Sequence, residues 1–176
     1  MEIIKVNQHN PNQSFGYLFD TNVWLYIYGP VAGSNAKKQR IYSNLLNSIL
    51  ERKAVIFITS LVLSEYINRV LRIGFQQWKD NGNYSADYKR DYRVTDDYKD
   101  NLADAIAQVE DILKITQRRP DDFNAMDINA ILAAMSQSSD YNDSYIVKCC
   151  ENANIKFVSD DRDIISINSP ITVIQA

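Results

Sequence analysis

Histidine is all but missing from this chain. The one copy, His9, lies in the polar leader VNQHNPNQS, which reads as loop or frayed terminus rather than part of a packed site. Chemistry centred on an imidazole base is disfavoured, and carboxylates become the available resource. Cysteine is equally scarce: Cys149 and Cys150 are adjacent, the wrong geometry for an ordinary disulfide and too few for a zinc site, so both are read as reduced and buried. Only 5 glycines and 4 prolines interrupt 176 residues that are 45% hydrophobic, which suits one domain over residues 1–176, with an excursion, rather than two. No stretch reaches the roughly eighteen apolar residues of a membrane span, and no opening segment has the basic start and apolar run of a signal peptide. The expectation is a cytoplasmic protein with no membrane partner. A net charge of −3 provides no global pull on nucleic acid, so any such contact must be local, within a Debye length of about 8 Å.

The apolar residues that are present fall into two periodicities. Short runs rich in β-branched and aromatic residues predict buried strands at Tyr17 to Phe19, Ala54 to Thr59, Ile155 to Val158 and Ile171 to Ile174. Between them lie helical stripes: Ile41, Leu45, Leu46, Ile49 and Leu50; then Leu61, Ile67, Val70 and Leu71. Leu102, Ala105, Ile106, Val109, Ile112 and Leu113 form a third, Ile128, Ile131, Leu132 and Met135 a fourth, and Tyr145 to Ala153 a fifth. Short apolar strands alternating with helices predict an α/β fold, a short parallel sheet flanked by helices on both faces.

Residues 74–101 break the pattern with a polar, tyrosine-rich excursion, GFQQWKDNGNYSADYKRDYRVTDDYKDN. Asn81-Gly82 marks a turn. Tyr84, Tyr88 and Tyr92 recur every fourth residue, so a helix there would carry them on one face, either packing the excursion down or forming a platform for bases or a partner.

Ligands of open α/β sheets collect beyond the carboxyl ends of the strands, and the residues expected there are acidic. Asp20 follows the first strand, in YLFDTNVWLYIYG. Glu65 lies in the helix that Thr59 or Ser60 would cap; Asp143 opens the last helix; Asp160, Asp161 and Asp163 follow the strand Ile155 to Val158. Each has a local explanation. Asp20 can be an N-cap, Glu65 can pair with Arg69 four residues on, Asp140 and Asp143 have capping spacing, and the aspartates from Asp160 to Asp163 can be a solvated turn. Independent caps have no reason to share one edge, however. Two carboxylates about 4 Å apart repel by roughly 4 kcal/mol at an effective dielectric near 20, a cost that a divalent cation removes. Magnesium accepts oxygen ligands and keeps waters, which suits phosphodiester hydrolysis.

The order of these acids resembles the motifs of the PIN-domain ribonucleases, the family that includes the virulence-associated protein C toxins of bacterial toxin–antitoxin pairs. LFDTNVWL resembles the opening motif, with Asp20 as its acid and Asn22 as a supporting polar group. SLVLSEYINRV resembles the second, around Glu65. NDSYIVKCCENANIKFVSDDRDI resembles the closing pair, with Asp143, then Ser159 in the hydroxyl position, Asp161 as fourth acid, Asp160 as its alternate and Asp163 further out. The interval from Glu65 to Asp143 exceeds that of the compact toxins, which makes the excursion an insertion; the leader before Tyr17 matches nothing in the motif. The resemblance implies a three-layer PIN-like fold and an endoribonuclease using Mg2+ or Mn2+. Asp20 and Asp143 are then the principal direct ligands, and Glu65 and Asp161 bind through water or help to orient the nucleophile. Arg69 and Arg72 share the Glu65 helix face and are candidates for RNA phosphates. It also implies an antitoxin protein as partner and a homodimer, for which Trp78 is an available aromatic.

Two other readings compete. A non-catalytic PIN-like module would keep the fold and bind RNA or protein through the excursion. An aspartyl-phosphate phosphatase of the haloacid dehalogenase type also begins with an acid at the first strand end, but needs Asp-x-Asp-x-Thr where this chain has Asp20-Thr21-Asn22-Val23-Trp24.

Overall fold

The computed structural model describes residues 1–135 and 139–176. Among them six strands, β1 (Glu2–Lys5), β2 (Gly16–Phe19), β3 (Val55–Ile58), β4 (Gln117–Arg118), β5 (Ile155–Val158) and β6 (Thr172–Gln175), form one parallel sheet in the order β1-β6-β5-β2-β3-β4. Helices α1 (Thr21–Ile27), α2 (Ala36–Glu51), α3 (Ser60–Asp80), α4 (Asp96–Ile115), α5 (Ile128–Ala134) and α6 (Tyr141–Ala153) cover both faces, giving the expected three layers.

The central strands are the most apolar because both of their faces meet helices. Tyr17, Leu18 and Phe19 of β2 and Phe157 and Val158 of β5 are each at most 1% exposed, and Trp24, Ile49, Ile56, Ile58, Tyr66 and Val173 close around them. From β2 the chain steps to β3 and β4 on one side, while β5 leads to β6 on the other. The crevice between β2 and β5 is therefore the switch point where an open sheet binds ligands.

Two strands escape the hydrophobic pattern. The leader supplies β1, which lies exposed on the sheet edge against β6, and β4 is the two-residue polar step Gln117-Arg118. His9 is not frayed: its ring meets Tyr17 edge-on, with Nε2 3.0 Å from the Tyr17 hydroxyl. In the helices, Ile106, Leu132 and Met135 face outward at 50%, 53% and 41% exposure, so the third and fourth stripes are narrower than their spacing suggests.

The tyrosine excursion also departs from expectation. Tyr84, Tyr88 and Tyr92 do not share a helix face. α3 runs on to Asp80, its Thr59 cap accepting from the Val62 amide, and a single π-helical turn, Tyr88–Tyr92, precedes α4. Tyr84 is 73% exposed, whereas Tyr92 is buried against Phe75, Trp78 and Tyr98. Trp78 is half-buried in that aromatic cluster. The helices approach closely here because Gly74 has no side chain: a Cβ would lie 2.0 Å from Asn101 Nδ2 and 2.9 Å from the Tyr92 hydroxyl. No helix among the described residues is long and apolar enough to cross a membrane.

Candidate functional site

Parallel pairing brings β2 and β5 to an end together, Phe19 opposite Val158, so the next residue of each, Asp20 and Ser159, emerge side by side. The Asp20 amide donates to Val158 O at 2.9 Å and the Ser159 amide to Ile174 O at 3.1 Å, carrying the ladder one step beyond the strands. Ser159 Oγ then donates to Asp20 Oδ2 at 2.9 Å. Asp20 occupies the N-cap position of α1, yet its carboxylate caps nothing; only its backbone oxygen accepts from Val23 and Trp24. Asp20 is 7% exposed, at the β2 end of the switch-point crevice.

Glu65 stands in the second turn of α3, where Thr21 Oγ1 donates to its Oε2 at 3.1 Å and Arg69 Nε approaches Oε1 at 3.3 Å. Asp143 and Asp140 complete a reciprocal capping box at the start of α6: the Asp143 amide meets Asp140 Oδ1 at 3.0 Å, and Asp143 Oδ2 accepts from the Asp140 amide at 3.3 Å. The local reading of that spacing is thus correct, and it still leaves one Asp143 oxygen uncommitted among the described residues. Asp161 turns back under the site, its amide donating to Ser159 Oγ at 3.0 Å and its Oδ1 accepting from the Asp163 amide at 2.8 Å.

Asp160 is drawn elsewhere. Its carboxylate pairs with Lys38 and accepts from Tyr42 at 2.9 Å and Tyr26 at 3.3 Å. That hydrogen bond raises the Lys38 pKa, and Lys38, Tyr26 and Tyr42 form an anchoring cluster that sequence reasoning missed for want of any local spacing to mark it. Asp163 is exposed at the start of a 3-10 turn. Asn22 makes no hydrogen bond to Asp20 among the described residues; Ser159 holds that carboxylate instead. Asn22 lines a cleft of about 400 Å³ with Tyr26, Arg69, Arg72 and Gln76. A second cleft, of about 320 Å³, is lined by Glu65, Asn68, Arg69, Arg72 and Asn142.

Burial pushes the Asp20 carboxyl up to about 7 against the pull of Ser159, and the charges of Glu65 and Asp143 push the same way. Asp143 rises to about 6, first by burial, then by Asp140, Asp161 and Glu65. Asp20 therefore feels Glu65 and Asp143, Asp143 feels Glu65 and Asp161, and among the described residues no ion pair neutralises Asp20 or Asp143. No three His, Cys, Asp or Glu side chains of the described residues stand close enough to chelate an ion unaided. The donor set is all carboxylate, which suits a hard, water-carrying cation, and the uncompensated Asp20 charge is the kind such a cation would relieve.

The model of the PIN domain matches residues 17–169. No curated protein matches the chain. Among solved structures, the fold is similar to VapBC2 from Rickettsia felis bound to a DNA fragment from their promoter, with a TM-score of 0.57 and 15% identity over 92% of this chain and 100% of that one. PAE2754 from Pyrobaculum aerophilum aligns with a TM-score of 0.48 and 14% identity over 93% of this chain and 85% of that one.

Proposed function

The chain belongs to the PIN-domain family, and from that premise we propose that it is an endoribonuclease dependent on Mg2+ or Mn2+. The observation that carries the reading is the Asp20 carboxyl: buried, paired with no cation among the described residues, and within the electrostatic reach of Glu65 and Asp143. Asp20, Glu65, Asp143 and Asp161 would hold the ion, which when bound supplies activation of a water for attack on phosphorus.

The protein's own side chains prepare that step. Ser159 keeps the Asp20 carboxylate turned into the crevice and, through its bond from the Asp161 amide, sets the path of the loop carrying Asp161. Thr21 orients Glu65, and the capping box fixes Asp143. Arg69 and Arg72 would contact RNA phosphates from the walls of the two clefts.

In this reading residues 1–176 are one cytoplasmic domain, with the excursion 74–101 running from the end of α3 into the start of α4, and the protein is the toxin of a toxin–antitoxin pair and forms a homodimer. Similarity to a VapBC2 protein solved with promoter DNA supports an antitoxin partner. The open spacing of the acids favours a second reading, a PIN-like module that binds RNA or protein without cutting. A cleavage assay with MnCl2 or MgCl2, repeated with chelator and with Asp20→Asn, separates them. Loss of activity under both treatments supports the nuclease; activity that survives both, or no cleavage of any RNA, overturns it.

A further inference from the structure

Arg69 and Arg72 line both clefts, the one that includes Glu65 and the one that runs past Asn22 and Tyr26, but their environments differ. Arg69 is paired with Glu65. Arg72, one full heptad beyond Glu65 on the same helix, has no carboxylate within ion-pair distance among the described residues, and its guanidinium instead lies over the ring of Tyr88, 4.1 Å from the centroid. A guanidinium with one face on an aromatic ring keeps its in-plane N–H edges free for the oxygens of a phosphate.

Tyr88 is itself held firmly. It opens the π-helical turn, whose first amides bond to the Asp87 carboxylate, and its ring packs edge-on against Phe75 at 5.3 Å and beside Tyr92 at 5.9 Å. The acid of that turn, Asp91, is engaged with Arg90. The ring thus fixes Arg72 without neutralising it.

We infer that the insertion supplies a positioning residue, Tyr88, which sets Arg72 as the receptor for a phosphate of single-stranded RNA passing between the two clefts and over the acids. Seven residues of helix separate Arg72 from Glu65, roughly 10 Å along the axis, so Arg72 receives a neighbouring phosphate rather than the one being cut. The inference rests on the ribonuclease reading, and the insertion then gives that reading a substrate path.

The test measures binding of a fluorescent single-stranded RNA to Asp20→Asn protein in chelator, where no cleavage intervenes. Arg72→Gln and Tyr88→Leu should each weaken binding about three- to tenfold and flatten the log–log salt dependence by about 0.7, one phosphate contact on a single strand; Tyr88→Phe should restore it. In metal-loaded protein with Asp20 intact, the same changes should raise KM in proportion and leave kcat unaltered. Unchanged affinity and salt slope in Arg72→Gln overturn the inference, as does Tyr88→Phe binding as weakly as Tyr88→Leu. Arg72 is exposed, so its variant decides the matter even if Tyr88→Leu fails to fold. If the parent binds no RNA, the ribonuclease reading fails and takes the inference with it; if the parent binds and cleaves but Arg72→Gln changes nothing, the inference alone fails.

Discussion

Ser159 Oγ donates a 2.9 Å hydrogen bond to Asp20 Oδ2, joining residues 139 positions apart at the ends of adjacent strands. This contact lowers the Asp20 pKa against the stronger effect of burial. Ser159→Ala should therefore push the Asp20 carboxyl higher still. We expect the pH profile of RNA cleavage to move to higher pH and metal affinity to fall roughly 10–100-fold, the usual cost of removing a group that orients a ligand. An unmoved profile with normal affinity would contradict this role.

The Asp20 and Asp143 shifts set a pH dependence for the metal-free protein. Their folded pKa values, about 7 and about 6, lie above the roughly 3.9 of an unfolded aspartate. Between those limits the folded state binds more protons than the unfolded one, so stability falls as pH rises from about 4 to about 7. Thermal melts in chelator should show this decline. Saturating MnCl2 should raise the melting temperature more at pH 8 than at pH 5, by roughly 4–8 °C for each ~2 kcal/mol gained in a chain of this size.

Asp20→Asn should abolish metal-dependent cleavage, by about 100-fold or more. It should also stabilise the metal-free protein near pH 8, because an amide replaces a buried charge, and remove the melting shift produced by MnCl2. Destabilisation at pH 8 would show that the carboxylate has a structural partner beyond Ser159.

Asp160 and Asp161 should separate cleanly. Asp160→Asn weakens the contacts to Lys38, Tyr26 and Tyr42 and should lower stability by about 1–3 kcal/mol with metal affinity kept. Asp161→Asn should keep more of the stability and lose metal affinity. Calorimetric titration with MnCl2 beside denaturant unfolding tells the two apart, and the reverse pattern would move the fourth acid to Asp160.

At Gly74, two effects oppose each other. Alanine gains about 1 kcal/mol of helix propensity, while overpacking costs about 1–3 kcal/mol. The 2.0 Å approach to Asn101 Nδ2 makes the clash the larger, since Asn101 is tied to the Tyr92 hydroxyl at 3.2 Å. Gly74→Ala should be destabilising by denaturant unfolding, with the loss concentrated in α3 and α4 by hydrogen exchange.

Legibility in the sequence followed burial. Ile155 to Val158 was readable to the residue because β5 is buried and ends against Ser159 and the acids. β1 was not, since Glu2, Ile3 and Lys5 are exposed at the sheet edge and present no buried face to pattern. The spacing of Tyr84, Tyr88 and Tyr92 misled because the π turn, not a helix through all three, sets their directions. Asp140 and Asp143 have capping spacing, and such a cap coexists with a carboxyl that still feels the charges of Asp161 and Glu65. The Lys38–Asp160 pair was invisible because its partners are 122 positions apart and follow no spacing rule.

The pairing of β2 with β5 also orders events in time. Residues 16–19 and 155–158 meet only after most of the chain exists, so the central crevice is a late, non-local contact that local helices cannot form alone. A nascent chain that has reached α6 carries Asp20, Glu65 and Asp143 but neither β5 nor Ser159. It cannot yet hold Asp20 in its buried setting. A chain interrupted before β5 therefore lacks the second wall of the crevice, and the Asp20 carboxylate it carries is without the Ser159 hydroxyl that holds it.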